Sequence, residues 1–285
     1  MNSLQSMIKH NPLSVAAATS YLRYRCRTVR AYIFVATTGR SGSESLSRIF
    51  ETIEGAACFH EPWPIMFNDA PPHVESDTYF ASRFRTVKQV NIRRLAAGHR
   101  YYVETNHQFV KKFCSVAVRQ FGRKIRIIHL VRNPVSVATS FYALQSIPGE
   151  TQNGRIYLLD PRDDTNRVGM ADVLYGDSEF GHDFFKCLWY WYEVEARIKE
   201  LKARHPEVRW AGIGTDELND PAALESLFRR LGLEADPEKL RTVAGTHLNR
   251  KRDKKLKPRD REQFEEMHQQ LRRRMEKRFG PGFWY

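Results

Sequence analysis

The chain has 285 residues, of which 41% are hydrophobic, and it carries a formal net charge of +13 at pH 7. This size and composition allow one large domain or two small ones with a sizeable core, and no apolar run approaches the roughly 18 residues that a membrane span needs. Four cysteines are scattered without the spacing of a metal site or a redox pair, which favours buried free thiols in a reducing compartment.

The first 30 residues are predicted to form a helical N-terminal extension, followed by a single domain over residues 31–285. The Ala16-Ala17-Ala18 run is similar to a signal-peptide cleavage site, but no apolar segment precedes it and Pro12 interrupts the region. We therefore expect no signal peptide and a cytoplasmic protein.

A buried strand, a turn rich in glycine and serine and the start of a helix follow one another between Tyr32 and Leu46. Such a turn directs backbone N–H groups at one point, and the helix N-terminus adds partial positive charge. The spacing is close to a P-loop but lacks its Gly-Lys-Ser/Thr ending, so it predicts a phosphate site for a ligand other than ATP. The residues expected to bind the anion are Arg40, Ser41, Gly42, Ser43 and Ser45.

The middle of the chain continues with alternating strands and helices. Residues 66–87 are polar, and we expect them to be an irregular insertion that faces the substrate. The predicted regular elements are a strand at Ala56–His60 that ends at Glu61-Pro62-Trp63-Pro64, a strand at Tyr101–Thr105, and a helix at Phe109–Phe121 closed by Gly122.

A second anion site is predicted after Lys124–Val131, the strongest strand pattern in the sequence. This strand runs into Arg132, and Pro134 suits the first position of the next helix, which carries Ser140. Ligands of open α/β sheets bind outside the carboxyl ends of the strands, so Arg132 and Ser140 are expected to point toward the first loop. The alternative is a helix capped by Asn133 with ordinary surface serines.

The last third of the chain supplies a long loop, a buried helix and a final strand. Residues 146–178 are expected to be a lid or binding segment, and the aromatic helix around residues 184–201 is expected to pack in the core. A strand follows at residues 208–213, and Asp220-Pro221 begins a helix that Gly232 ends. The alternation predicts an α/β fold of three layers, with a mostly parallel central sheet flanked by helices and a P-loop-like nucleotide-binding architecture.

Much of the positive charge lies near the C-terminus, at residues 250–257 and 272–274. A polyanion or a multiply phosphorylated small molecule would explain this excess. No zinc finger and no aromatic RNA-binding signature accompanies it, so a nucleic-acid partner would rest on charge alone. We expect no specific nucleic-acid binding.

Taken together, the two anion motifs resemble the sulfotransferases that use 3′-phosphoadenosine 5′-phosphosulfate. The resemblance rests on Thr-x-Gly-Arg-Ser-Gly-Ser-x-x-Leu after one strand and Arg-Asn-Pro-x-x-x-x-x-Ser after a later one. The stretch at residues 210–221 and the helix that ends at residues 229–233 support it, and Asn249-Arg250-Lys251 stands about where the family closes a basic loop over the nucleotide. The match departs from the commonest family pattern at Gly39 and at Glu44. The Glu44 side chain is expected to point outward, away from the anion, along its helix.

The resemblance implies that the sulfuryl donor is a co-substrate and that no metal is needed. It implies that Arg40, Ser41, Gly42, Ser43 and Ser45 bind the 5′-phosphosulfate, that Arg132 and Ser140 bind the 3′-phosphate, and that Arg250 lies over the nucleotide. A side chain must also take the proton of the acceptor hydroxyl or amine. Glu61 is the first candidate base, His107 the second and His60 the third, and Glu61 as a capping residue is the alternative.

The acceptor and the oligomeric state stay open at this point. A small molecule, a carbohydrate and a lipid headgroup fit the sequence equally well. Two other functions compete with sulfuryl transfer: a nucleotide kinase with a divergent P-loop, and a basic protein without enzymatic activity that binds polyanions. The cation at Arg132 argues against the kinase, since a P-loop ATPase is expected to carry an acidic metal ligand at a comparable strand end.

Overall fold

The computed structural model describes residues 20–71, 75–245 and 258–281. These residues contain a five-stranded sheet with the order β2-β3-β1-β4-β5, in which all neighbouring strands are parallel. The strands are β1 Ala31–Ala36, β2 Ala56–His60, β3 Tyr101–Thr105, β4 Ile125–Val131 and β5 Arg209–Gly214.

Helices connect the strands and cover both faces of the sheet. The α-helices are α1 Ser43–Phe50, α2 Ser76–Arg83, α3 Gln89–Ala96, α4 Cys114–Phe121, α5 Pro134–Ala143, α6 Gln152–Tyr157, α7 Ala171–Gly176, α8 Asp183–Arg204, α9 Pro221–Leu231, α10 Pro237–Gly245 and α11 Pro258–Phe279. Two π-helical turns lie at Phe84–Lys88 and Phe109–Phe113, and 3₁₀ turns at Gly122–Lys124, Ser178–Phe180 and Asp216–Asn219. Residues 20–25 are also helical.

The side chains of β1 alternate between two hydrophobic cores. Ile33 and Val35 pack with α1, α9 and α10 on one face of the sheet. Tyr32 and Phe34 pack on the other face with a larger core that includes α4, α5, α8 and α11. Both faces are therefore buried, as parallel sheets require, and the predicted α/β fold of three layers is confirmed.

Local capping residues fix the helix ends that the sequence predicted. Asn133 caps α5 by accepting a hydrogen bond from the Ser136 amide at 3.0 Å, and Pro134 occupies the first turn. Gly232 ends α9 in the left-handed conformation, with φ 65°. These caps work within one turn of chain, so the sequence alone is sufficient to predict them.

The prediction of an irregular segment over residues 66–87 is wrong. That range contains α2 and most of the π-turn at Phe84–Lys88, and none of its described residues lines the main cavity. Phe80 and Phe84 are buried four residues apart on one helix face, but the polar residues around them conceal the pattern. The loop over residues 146–178 is also less irregular than expected, because it contains α6 and α7.

Residues 1–19, most of the proposed extension, and Arg250 in the proposed basic loop lie outside the described residues. Across the described ranges, no helix has both the length and the apolar character to cross a membrane. The four cysteines are free thiols; Cys58 is half-buried and the others are buried.

Candidate active site

The loop after β1 has an unusual backbone. Gly39, Arg40 and Gly42 adopt positive φ angles of 83°, 56° and 82°. Gly42 is the N-cap of α1, and no side chain caps the helix there. The first amides of α1 therefore have no side-chain acceptor, which leaves them available to an anion.

Ser41 shapes this loop from inside. Its hydroxyl is buried, donates to the carbonyl of Gly39 at 3.0 Å and lies 2.9 Å from Thr38 Oγ1. Its carbonyl accepts a hydrogen bond from Thr215 Oγ1 at 2.7 Å, which ties the loop to the end of β5. The Ser41 side chain therefore does not line the cavity, in contrast to its neighbours Gly42 and Ser43.

The first turn of α1 presents further polar groups to the same cavity. Ser43, Glu44 and Ser45 all line it. The Ser45 hydroxyl is buried and has no hydrogen-bond partner among the described residues. Glu44 forms an ion pair with Arg48 at 3.1 Å, one turn along the helix. An unpaired buried hydroxyl beside uncapped amides fits an oxyanion ligand.

The residues of the second anion motif meet the first loop. Arg132 Nη1 donates to the carbonyl of Arg40 at 2.7 Å, and Arg40 Nε donates to Ser140 Oγ at 2.8 Å. Two aromatic side chains of α8 brace the arrangement. Tyr190 donates its hydroxyl to the carbonyl of Thr38, and the Trp191 indole donates to the carbonyl of Arg132.

The two leading base candidates form a hydrogen-bonded pair, which we call the Glu61–His107 dyad. His107 Nδ1 lies 2.5 Å from Glu61 Oε1. His60, the third candidate, also lines the cavity, but its Nδ1 is 2.9 Å from Thr105 Oγ1. Gly39 brings the first loop against the dyad, because a Cβ at this position would lie 3.3 Å from the Cβ and Cγ of His107.

Opposing effects set the protonation of the dyad. Burial would raise the pKa of Glu61, but the His107 hydrogen bond and the nearby charges of His107, His60 and Lys111 outweigh it, and the pKa is lowered. Burial and Lys111 lower the pKa of His107 despite Glu61. At neutral pH a neutral His107 therefore donates its Nδ1–H to an ionised Glu61 carboxylate, which can only accept.

A buried ion pair holds the loop that carries Glu61. Lys88 Nζ lies 2.7 Å from Glu104 Oε1, both side chains are fully buried, and Lys88 also donates to the carbonyl of Pro62 at 2.8 Å. Glu104 further accepts from the Tyr102 hydroxyl and the Asn106 amide at 2.7 and 2.9 Å. Glu61 itself has φ 47°, a conformation that a non-glycine residue keeps only when its surroundings fix it.

One cavity of about 540 Å³ connects the anion loops with the dyad across the carboxyl ends of the strands. On the side of β1, β4 and β5 it is lined by Gly39, Arg40, Gly42, Ser43, Glu44, Ser45, Ile49, Arg132, Thr215, Leu218 and Asn219. The remaining lining residues are His60, Glu61, His107, Phe141, Leu144, Ser146, Tyr157 and Leu158. The loop over residues 146–178 thus contributes three residues to this wall.

The sequence did not point to four residues that support the site: Thr215, Tyr190, Gln108 and Lys111. Gln108 Nε2 lies 3.0 Å from His107 Nε2 and donates to the carbonyl of Tyr157 at 3.0 Å. Lys111 Nζ donates to the same carbonyl at 2.6 Å. Only the position of Gln108, directly after a candidate base, is a signal in the sequence.

Comparison with known proteins gives structural similarities only. No family model and no curated protein matches the sequence significantly. A sulfotransferase from Alicyclobacillus acidocaldarius is similar at a TM-score of 0.47 and 16% identity, over 87% of this chain and 95% of that one. The sulfotransferase domain from the curacin biosynthetic pathway gives 0.42 and 16%, over 74% and 77%. Mouse sulfotransferase SULT7A1, solved with PAP, gives 0.40 and 17%, over 77% and 63%.

Proposed function

We propose that this chain is a sulfotransferase that moves a sulfuryl group from 3′-phosphoadenosine 5′-phosphosulfate to an acceptor hydroxyl or amine. The observation that carries the proposal is the meeting of two anion motifs, through Arg132 and Arg40, beside a carboxylate–imidazole dyad in one cavity. An anion site alone would suit many ligands. An anion site with an ionised carboxylate against it suits group transfer to a weakly acidic nucleophile.

The residues present fit the donor. The uncapped amides of α1, the unpaired hydroxyl of Ser45 and the guanidinium of Arg40 suit the 5′-phosphosulfate. Arg132 and Ser140 suit the 3′-phosphate, as the sequence resemblance implies. Ser41 would contribute its backbone rather than its hydroxyl, because that hydroxyl is engaged within the loop.

In this proposal Glu61 takes the proton of the acceptor while His107 holds the carboxylate in place. The bound donor supplies the sulfuryl group, whose bond to the bridging oxygen breaks as its bond to the acceptor oxygen or nitrogen forms. Arg40 and the α1 amides offset the negative charge that grows on the phosphate side. A sulfuryl group carries a single negative charge, so we propose that these protein cations suffice without a metal ion.

Ligand binding separates this proposal from its two rivals. We expect adenosine 3′,5′-bisphosphate to raise the thermal unfolding midpoint at micromolar concentration, with ATP and Mg²⁺ giving a much smaller shift. A preference for ATP and Mg²⁺ would favour the kinase. No shift from either nucleotide, together with salt-sensitive binding of DNA or RNA, would favour the polyanion-binding protein.

Transfer itself is tested with donor labelled in the sulfuryl group and a panel of phenols, aliphatic alcohols, amines and neutral sugars. We expect a labelled product from at least one class, and product formation about 10²–10⁴-fold slower with Glu61→Gln at the same protein concentration. Glu234→Gln is the matched control for charge, since Glu234 is exposed and does not line the cavity. Product formation that survives boiling of the enzyme would contradict the proposal.

A further inference from the structure

Gln108 contacts the dyad at His107 Nε2, the ring nitrogen that does not face Glu61. It follows His107 at the start of the π-turn, and its side chain is fully buried. Its amide nitrogen makes both side-chain contacts, at 3.0 Å to His107 Nε2 and at 3.0 Å to the carbonyl oxygen of Tyr157. Its backbone amide is held as well, by Asn106 Oδ1 at 2.9 Å.

These contacts determine which way the amide points. The carbonyl of Tyr157 can only accept a hydrogen bond, so the NH₂ group of Gln108 must face it. A flipped amide would place two oxygen atoms against each other. The second N–H of the same group then points at His107 Nε2, which must accept. The proton of neutral His107 is therefore confined to Nδ1, opposite Glu61.

The oxygen of the Gln108 amide is not stabilised by this arrangement. Gln108 Oε1 is buried and has no hydrogen-bond partner among the described residues. An unpaired buried acceptor destabilises a fold, and an apolar side chain of similar size would avoid that penalty. The amide is therefore poorly explained by stability alone, whereas its two N–H groups are both engaged next to the dyad.

We propose that Gln108 is a positioning residue that locks His107 in the Nδ1–H tautomer, so that His107 always presents a donor to Glu61. Without this lock, His107 Nε2 is free to take the ring proton, and Nδ1 would then turn a lone pair toward the carboxylate. That arrangement repels the ionised form of Glu61 and displaces its side chain. The tautomer lock stands on contacts alone; its consequence for turnover rests on the proposed function, in which Glu61 is the base.

The first test needs no variant. In protein labelled with ¹⁵N-histidine, long-range ¹H–¹⁵N correlation spectra at pH 7.5 distinguish the two neutral tautomers, and loss of one signal set in His107→Gln assigns the residue. We expect His107 to show a protonated Nδ1 and an unprotonated Nε2. A wild-type spectrum with the proton on Nε2 would overturn the inference, whatever the enzyme does.

The second test compares Gln108→Leu with Gln89→Leu. Gln89 is also buried, and its amide bonds to Gln120 away from the cavity, so the control removes the same group at similar depth. We expect Gln108→Leu to show a mixture of tautomers and a kcat at least about tenfold lower, with unchanged affinity for adenosine 3′,5′-bisphosphate. Gln89→Leu should change neither.

Gln108→Met covers the case in which Gln108→Leu does not fold, because its side chain is closer in length and equally unable to donate. A folded variant that keeps the wild-type tautomer and kcat would contradict the lock. Wild-type protein that shows the expected tautomer but transfers no sulfuryl group would refute the proposed function and leave the tautomer assignment standing.

Discussion

Arg132 Nη1 donates a 2.7 Å hydrogen bond to the carbonyl oxygen of Arg40. This contact joins the end of β4 to the loop after β1, two segments that are 92 residues apart in the chain. It places a guanidinium next to a loop whose amides and hydroxyls are arranged for an anion, and it explains why the two motifs function as one site in our proposal.

Replacing Arg132 by Met should weaken binding of adenosine 3′,5′-bisphosphate by about 1.5–3 kcal/mol, because a charge-assisted contact is lost. Isothermal titration of wild type and variant measures the difference. Binding of AMP, which lacks the 3′-phosphate, should change much less. An equal loss for both nucleotides would place Arg132 elsewhere. Ser140→Ala offers a milder test, because it removes the contact with Arg40 Nε but leaves the hydrogen bond from Arg132 to the Arg40 carbonyl intact.

Glu61→Gln should lower kcat by about 10²–10⁴-fold, the usual contribution of a general base, with little change in donor affinity. Glutamine has nearly the same shape but cannot take a proton. Single-turnover assays with saturating donor measure the chemical step. If this variant keeps near wild-type turnover while His107→Ala loses it, the base is His107.

The pH at which kcat/KM falls on the acidic side of its profile, its acid limb, should depend on the presence of His107. A base must be unprotonated to act, and the pKa of Glu61 is lowered from 4.5, so wild-type activity should persist until the pH falls below that value. In His107→Ala the hydrogen bond and the Coulombic interaction by which His107 lowers the pKa of Glu61 are lost while burial still raises it, so this pKa rises and the acid limb moves to higher pH. His99→Ala, at an exposed position, should leave the profile unchanged.

Breaking the buried ion pair should cost considerable stability. Lys88→Met leaves the fully buried Glu104 without its cation, which typically destabilises a protein by about 3–5 kcal/mol. Urea unfolding at pH 7.5 measures the free-energy difference. Lys239→Met is the control: that side chain is 63% exposed and its change should stay within about 0.5 kcal/mol. A loss that small for Lys88→Met would mean that the pair contributes little.

Stability should fall as the pH drops from 6.5 toward 4, partly because of His268. Burial and Arg272 lower the pKa of His268 to about 4, and in the folded state its Nε2 lies 2.6 Å from the Tyr192 hydroxyl. Between these two pH values the unfolded state binds the extra proton, so unfolding is favoured by acid. His268→Gln should show a shallower decline in chemical unfolding; an identical slope would remove His268 from the explanation.

Much of the fold could be predicted from local patterns. The bounds of β2 and β3 match the predicted ranges. The prolines shortly after His60 limit β2, and the aromatic and β-branched residues of Tyr101–Thr105 favour β3. The two helices of residues 76–96 could not be predicted in this way, because their buried apolar residues are few: Phe80 in α2, and Ile92 and Ala96 in α3. Their helical state depends on burial against β3 and the π-turns, which is a long-range interaction.

The features of the candidate site also separate into those that local sequence patterns predict and those that depend on long-range contacts. Sequence alone determined which residues could bind an anion or take a proton, because loop conformation and side-chain chemistry are encoded within a few residues. Only the tertiary structure decided that Glu61 and His107, two alternative candidates for the base, form a hydrogen-bonded pair, and that the Gln108 amide contacts His107. The reason is the parallel register of β2 and β3, which brings together chain segments 46 residues apart and which no local pattern specifies.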